Sequence, residues 1–313
     1  MPAPDTVAPN TVPAPTPITS VEPVVLPAPE RGDDLRVRVS APVSGTGLPV
    51  IVLAHGFGKS MSSYDPLVDF WAAHGFVVIQ PTFLDSRTLG LTPDDPRYPN
   101  IWRIRVQDVG RVLDELDHLL TAVPGLADRV DRDRTAVAGH SWGGQTVSML
   151  LGARVLGPDG RPGPSHTDSR VKAGVLLATT GIGGDDLTPF AREHFSFMSP
   201  DFDELTTPTL VVAGDQDQSA LSTRGPDWFT DVHHRSPGAQ ALLTLFGGEH
   251  MLGGIHAYDA EDTTDESPER VALVRRACWA YLRHALGIDD IAWRRVRAEL
   301  AETTDPIGHI VDK

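Results

Sequence analysis

The chain has 313 residues, of which 40% are hydrophobic, so it is long enough to bury a large core. Its formal net charge of -15 makes nucleic acid and membrane surfaces poor partners, because an acidic surface repels phosphate groups and anionic lipid. The single cysteine, Cys278, excludes an intramolecular disulfide and a cysteine-based metal cluster. Because its neighbours are typical of a helix, we interpret Cys278 as a buried structural thiol.

The first 33 residues are interpreted as a proline-rich arm, extended or disordered, that precedes a single domain at 34–313. Residues 1–30 contain nine prolines and no lysine or arginine. This composition differs from a secretory signal peptide, which needs a basic start and a continuous apolar stretch. We therefore expect a cytoplasmic protein, with a secreted mature form left open.

Short apolar runs alternate with helical patterns after residue 34, which predicts a mostly parallel sheet with helices on both faces. The predicted strands are 35–39, 49–54, 76–79, 135–139, 171–178, 209–213 and 241–246. The predicted helices are 62–74, 101–120, 143–155, 268–286 and 289–300, the last two closing the chain. Segments 82–100 and 180–206 lack periodicity and contain glycine or proline, so we expect them to form a small cap.

One motif predicts a nucleophile at Ser141. The run Gly139-His140-Ser141-Trp142-Gly143 fits G-x-S-x-G and stands between a predicted strand and a predicted helix. A sharp turn in that setting exposes the serine side chain, and the small residues on either side keep neighbouring backbone away. An ordinary tight turn is the alternative.

An oxyanion hole needs two backbone N–H donors, and the sequence offers two candidates. One is Trp142, directly after the nucleophile. The other is Phe57, in the glycine-containing loop 55–58 that follows the strand at 49–54. The aromatic rings of Phe57 and Trp142 also predict a substrate-binding wall, although their backbone roles would suffice if the rings only pack.

A general base and an orienting acid are expected after the nucleophile, in the order serine, acid, histidine. His250 follows the last predicted parallel strand and is the preferred base among the twelve histidines. Strand 209–213 is followed by two aspartates, Asp215 and Asp217. We assign the acid to Asp217 because of its spacing after the strand, and we expect Asp215 to support the turn.

Together these motifs resemble α/β-hydrolases of the chlorophyllase-like and platelet-activating-factor-acetylhydrolase-like group and, more loosely, cutinases and polyester hydrolases. The resemblance covers about residues 35–255. The matching stretches are Pro49 to Gly58, His74 to Phe76, Arg105 to Leu113, Val137 to Gly144, Leu210 to Asp217 and Gly248 to His250. It implies the α/β-hydrolase fold and a serine esterase with Ser141, Asp217 and His250 as its triad. The chain lacks the paired cysteines of cutinases, which argues against an extracellular polyester role.

The expected reaction is hydrolysis of a small-molecule carboxylic ester, with a short-to-medium acyl chain or an aromatic group, through an acyl-enzyme. No cofactor and no metal are expected, and the acidic residues at 259–266 are interpreted as a solvated loop because they lack a calcium-binding spacing. Two alternatives remain. One is an acyltransferase or thioesterase that uses the same residues, and the other is a non-catalytic binding protein of this fold. The oligomeric state is left open.

Overall fold

A computed structural model describes residues 12–313 of the chain. In this part the strands are β1 Ile18–Leu26, β2 Leu35–Pro42, β3 Leu48–Ala54, β4 Val77–Pro81, β5 Val130–His140, β6 Arg154–Val155, β7 Val171–Leu177, β8 Pro200–Asp201, β9 Thr209–Gly214, β10 Ala239–Leu245 and β11 Gly308–Asp312. The α-helices are α1 Asp65–Ala73, α2 Ile101–Asp114, α3 Leu116–Thr121, α4 Trp142–Leu151, α5 Pro189–His194, α6 Asp231–Arg235, α7 Pro268–Ala285 and α8 Ile291–Glu302.

Nine strands form one sheet in the spatial order β1-β2-β4-β3-β5-β7-β9-β10-β11. The six strands from β4 to β10 pair in parallel, whereas β1, β2 and β11 join antiparallel at the edges. Every residue of β3 is buried. A continuous apolar run suits this central position, because both faces of the strand are covered.

Helices cover both faces of the sheet. Helices α1, α7 and α8 pack together, while α2 and α4 pack against each other. The predicted architecture, a mostly parallel sheet between helical layers, is confirmed. Because the carboxyl ends of parallel strands meet at one edge, the loops after β3, β5, β9 and β10 converge there.

The proline-rich arm differs from the prediction. Its residues 18–26 are β1, which pairs with β2 and so belongs to the same sheet as the rest of the domain. The boundary placed after residue 33 therefore cuts through this sheet. The segment is extended as expected, and residues 1–11 of the arm lie outside the described residues.

The carboxyl-terminal end also differs, because the two closing helices are followed by β11, which pairs with β10. The single helix predicted at 101–120 is divided into α2 and α3 at Glu115. Helix α4 ends at Leu151, earlier than predicted. The next residue, Gly152, has a φ of 125°, and a Cβ there would lie 2.1 Å from the Glu204 carbonyl oxygen.

In the part of the chain that the structure describes, no helix has the length and apolar character needed to cross a membrane.

Candidate active site

Ser141 lies at the sharp turn between β5 and α4, as the motif predicted. Its backbone has φ 54° and ψ -122°, a conformation that costs a residue with a side chain about 1–3 kcal/mol. Two glycines make the turn sterically allowed. A Cβ on Gly139 would lie 2.3 Å from the Gly143 carbonyl oxygen, and a Cβ on Gly143 would lie 2.1 Å from the Ala54 carbonyl oxygen. The spacing of the motif therefore follows from the close approach of these backbones.

The structure brings Ser141, His250 and Asp217 together at the carboxyl edge of the sheet. His250 Nε2 lies 2.9 Å from Ser141 Oγ. On the other side of the ring, His250 Nδ1 lies 3.0 and 3.1 Å from the two carboxylate oxygens of Asp217. Burial raises the pKa of the fully buried Asp217 carboxyl, and the hydrogen bond from His250 offsets part of that effect. This arrangement can carry a proton from the serine to the imidazole.

Asp215 has a different position. Its Oδ1 accepts a hydrogen bond from the Gly247 amide at 2.7 Å, so it joins the loop after β9 to the loop after β10. Asp215 therefore supports the turn, and Asp217 is the aspartate that contacts His250.

The Phe57 amide lies in a loop that is held on both sides. The Gly56 amide donates to the Tyr64 hydroxyl at 2.9 Å, and the Gly58 amide donates to Asp85 Oδ2 at 3.2 Å. Trp142 is the first residue of α4, where backbone amides have no acceptor within the helix. The rings of Phe57 and Trp142 lie 5.8 Å apart. The Phe57 ring is thus next to that of Trp142, the residue that follows Ser141.

A buried chain of hydrogen bonds connects this loop to His250 through the elbow. Tyr64 Oη accepts from Gly56 N and lies 2.9 Å from His140 Nδ1, while His140 Nε2 lies 2.8 Å from the His250 carbonyl oxygen. Burial and the nearby His250 lower the pKa of His140 to about 3. His140 is therefore neutral, and the consistent assignment has Tyr64 donating to Nδ1 and Nε2–H donating to His250.

A known protein family matches part of this chain. The sequence model of the chlorophyllase family matches residues 21–154, a range that includes Phe57 and Ser141 but ends before Asp217 and His250. The chain has the α/β-hydrolase fold. The resemblance inferred from the motifs is therefore confirmed at the level of the α/β-hydrolase fold.

The relatives that the chain matches are distant. It is 24% identical to Chlorophyllase-1 of Arabidopsis thaliana over 198 residues, which cover 63% of this chain and 55% of the relative. It is 27% identical to Cutinase est2 and 26% identical to Cutinase est1 of Thermobifida alba, in each case over 206 residues. These alignments cover 66% of this chain and 53% and 54% of the cutinases. The chain thus spans about half the length of the curated relatives it matches.

A buried ion pair supports the loop at 55–58. Arg105, on α2, donates to Asp85 Oδ1 at 2.6 Å and to the His55 carbonyl oxygen, and both charged side chains are fully buried. Burial raises the pKa of the Asp85 carboxyl, but the charge and hydrogen bond of Arg105 hold it below its ordinary value. The Arg105 guanidinium also lies 4.9 Å from the centre of the Trp142 ring. The same arginine therefore contacts both walls of the predicted oxyanion hole.

Sequence reasoning did not assign a role to Arg105, Asp85 or Tyr64. The sequence does contain a signal for Arg105, because it is a charged residue on the apolar face of a predicted helix, between Ile101 and Val109. A buried charge of that kind needs a partner. Its partner Asp85 lies in the loop after β4, where no local sequence pattern indicates a buried charge.

The remaining predicted features have structural roles. Asp265, in the acidic stretch 259–266, accepts hydrogen bonds from the amides of Glu249 and Gly253 at 2.8 and 3.0 Å and so braces the His250 loop. Among residues 12–313, no group of three or more histidine, cysteine, aspartate or glutamate side chains is arranged to hold a metal ion. Cys278 is fully buried in α7, and burial raises the pKa of its thiol.

Proposed function

We propose that this protein hydrolyses carboxylic esters through an acyl-enzyme formed on Ser141. The observation that carries the proposal is the continuous contact from Ser141 Oγ through the His250 ring to the buried Asp217 carboxylate. Three such groups in this order activate a hydroxyl as a nucleophile. The relatives named chlorophyllase and cutinase support the same class of reaction.

In the first half of the proposed reaction, His250 Nε2 takes the proton of Ser141 while Oγ attacks the ester carbonyl carbon. The carbonyl oxygen becomes negative and is stabilised by the amides of Trp142 and Phe57, each contributing about 3 kcal/mol. Collapse of this intermediate breaks the bond to the alcohol oxygen, which receives the proton from His250. Asp217 keeps His250 in the tautomer that this transfer requires.

In the second half, His250 removes a proton from water, and the resulting hydroxide attacks the acyl-enzyme. Collapse releases the carboxylic acid, and Ser141 recovers its proton from His250. The water enters at the face that the alcohol has left. Each proton taken by His250 is thus returned within one half-reaction, and the chain itself supplies every group that this scheme uses.

The proposed substrates are small-molecule esters with short-to-medium acyl chains or aromatic groups. The loops near the site support this size range, since segments 82–100 and 180–206 hold no α-helix longer than α5, which has six residues. We expect these loops to act as walls of a pocket.

We also propose that the catalytic domain is located in the cytoplasm.

An ester panel tests the proposal. Purified protein is assayed with 4-nitrophenyl esters of increasing acyl length, beside Ser141→Ala and, as a matched control, Ser148→Ala in the same helix region. We expect Ser141→Ala to lose hydrolysis of every ester while keeping the circular dichroism spectrum of the wild type. Retention of more than a trace of activity in Ser141→Ala would end the assignment.

A further inference from the structure

A row of aromatic rings leads away from the nucleophile. The Trp142 ring lies between that of Phe57, at 5.8 Å, and that of Phe197, at 5.4 Å. Phe197 in turn stacks on Trp102, with ring centres 6.0 Å apart and planes inclined by only 12°. The four rings therefore form a continuous wall that begins at the predicted oxyanion hole and ends on α2.

The far end of this aromatic wall opens into a cavity of about 840 Å³, whose lining includes Trp102 and Phe197. Three segments enclose it. They are the start of α2 with the residues just before it, the loop at 155–166, and the segment 184–199. The volume lies within the roughly 300–1,000 Å³ typical of small-molecule sites. The Phe197 ring thus contacts both Trp142, the residue after Ser141, and Trp102 in the cavity lining.

The charge of the cavity is opposite to that of the whole molecule. The chain has a net charge of -15, yet the cavity lining includes two arginines, Arg103 and Arg192, and no aspartate or glutamate. Burial and the charge of Arg103 lower the pKa of His166, the third basic side chain in the lining, so the positive charge lies on the arginines.

The two arginines differ in their partners. Arg192 lies 3.6 Å from Asp185, an exposed side chain outside the lining. Arg103 is exposed, its guanidinium lies 4.8 Å from the centre of the Trp102 ring, and it forms no ion pair with any residue in 12–313. Its charge is thus available at the end of the aromatic wall, in a geometry suited to a carboxylate that follows an apolar group.

We propose that this cavity selects esters that carry a carboxylate at the end remote from the scissile bond. The apolar or aromatic part of such an ester lies along the aromatic wall, and its carboxylate pairs with Arg103, with Arg192 nearby. This inference rests on the proposed esterase function and specifies its substrate class. It makes Arg103 and Trp102 specificity-determining residues for that reaction.

Matched ester pairs test the inference on both sides of the scissile bond. The acyl-side pair is mono-4-nitrophenyl adipate and 4-nitrophenyl hexanoate, and the alcohol-side pair is 4-carboxyphenyl hexanoate and phenyl hexanoate. For each pair, the ratio of kcat/KM for the charged ester to that for the neutral ester is compared between variants. The same two esters are used with every variant, so differences in their intrinsic reactivity cancel when the ratios are compared.

In Arg103→Gln we expect the charged-to-neutral ratio to fall roughly tenfold for at least one pair, the loss typical of a hydrogen bond to a charged group. Arg36→Gln, an exposed arginine on β2, removes the same charge elsewhere and should leave the ratio unchanged. Trp102→Leu should lower the ratio of hexanoate to acetate hydrolysis, because it removes the end of the aromatic wall.

Three results would overturn the inference. The first is an unchanged ratio for both ester pairs in Arg103→Gln, with 4-nitrophenyl acetate still hydrolysed through Ser141, which would leave the esterase proposal standing. The second is an equal fall in Arg36→Gln, which would show that general charge attraction is responsible. The third is a wild-type protein that hydrolyses no ester, in which case the proposed function fails as well.

Discussion

At the scale of single residues, two aspartates in the loop after β9 have different partners and so predict different phenotypes. Asp217 contacts the His250 ring, whereas Asp215 accepts from the Gly247 amide. We expect Asp217→Asn to lower kcat for ester hydrolysis by up to about 10⁴-fold, because an amide no longer holds the productive tautomer. Asp215→Asn should cost much less. Steady-state kinetics on the two purified variants decide between them, and the reverse ranking would move the acid to Asp215.

The Tyr64 hydroxyl is the second residue whose removal has a defined consequence. Tyr64→Phe deprives the buried Gly56 amide of its acceptor, and an unpaired buried amide costs about 1–3 kcal/mol. We expect a fall of that size in the free energy of unfolding, measured in urea, together with a lower kcat/KM.

The matched control for Tyr64→Phe is Tyr258→Phe. The Tyr258 hydroxyl donates to Asp69 at the surface, and 67% of the residue is exposed. Its loss should change the free energy of unfolding by only a few tenths of a kcal/mol. Equal losses of unfolding free energy in Tyr64→Phe and Tyr258→Phe would show that the buried hydrogen bonds through His140 stabilise the fold no more than the surface hydrogen bond of Tyr258.

Residues of the predicted site fall into two groups with respect to sequence. Ser141 stands in the G-x-S-x-G motif, and Phe57 and His250 follow predicted strands, so local sequence features indicated all three. Tyr64 and Asp85 act through partners that no repeating pattern connects to them, 8 and 76 residues away for Tyr64 and 20 residues away for Asp85 and Arg105. The periodic pattern of apolar residues contains no information about such contacts, so the sequence did not predict a role for Tyr64 or Asp85.

At the scale of elements, the buried pair of Arg105 and Asp85 connects helix α2 to the loop at 55–58, the predicted oxyanion loop. Removing one member of a buried ion pair leaves an uncompensated charge and costs about 3–5 kcal/mol. We therefore expect Arg105→Met to lower the free energy of unfolding by that amount, measured by chemical denaturation. Adding Asp85→Leu should recover part of the loss, since both charges are then absent.

Arg97→Met is the matched control for Arg105→Met. Arg97 pairs with Asp33 and Asp95 near the surface, and ion pairs of that kind contribute at most about 1 kcal/mol. If Arg105→Met cost no more than Arg97→Met, α2 would not support the loop in the way described.

Elements in the centre of the sheet were predictable, and those at its edges were not. Strands such as β3 and β9 are buried along their whole length, so they read as continuous apolar runs. In contrast, β1 and β11 are edge strands with mixed burial, and β1 contains proline. An edge strand tolerates proline and polar residues, because its outer side forms no hydrogen bonds with another strand. The alternation or run of apolar residues that identifies a strand is therefore weaker there.

At the scale of the whole molecule, buried neutral histidines predict a loss of stability in acid. Burial lowers the pKa of His55 to about 4 and that of His140 to about 3, against about 6.5 in the unfolded chain. Between these values the unfolded state binds protons that the folded state does not. The contribution of each residue is therefore complete above about pH 6.5 and is lost as the pH falls through its folded-state pKa, about 4 for His55 and about 3 for His140.

A comparison of variants isolates this acid effect. Burial raises the pKa of Asp108 to about 7, which acts in the opposite direction, but that contribution is common to wild type and variant. We expect the difference in free energy of unfolding between wild type and His140→Gln to shrink as the pH is lowered from 7 to 4, measured by urea denaturation. A difference that does not change with pH would contradict the neutral assignment of His140.

Covalent labelling tests whether Ser141 is a nucleophile that His250 activates. The folded protein is treated with a fluorophosphonate, and intact mass and peptide mapping follow the adduct. Activation of Ser141 by His250 predicts one adduct per chain, on Ser141, and little or none in His250→Ala or in urea. Labelling at another residue, or labelling of Ser141 at the same rate in His250→Ala, would show that His250 does not activate Ser141.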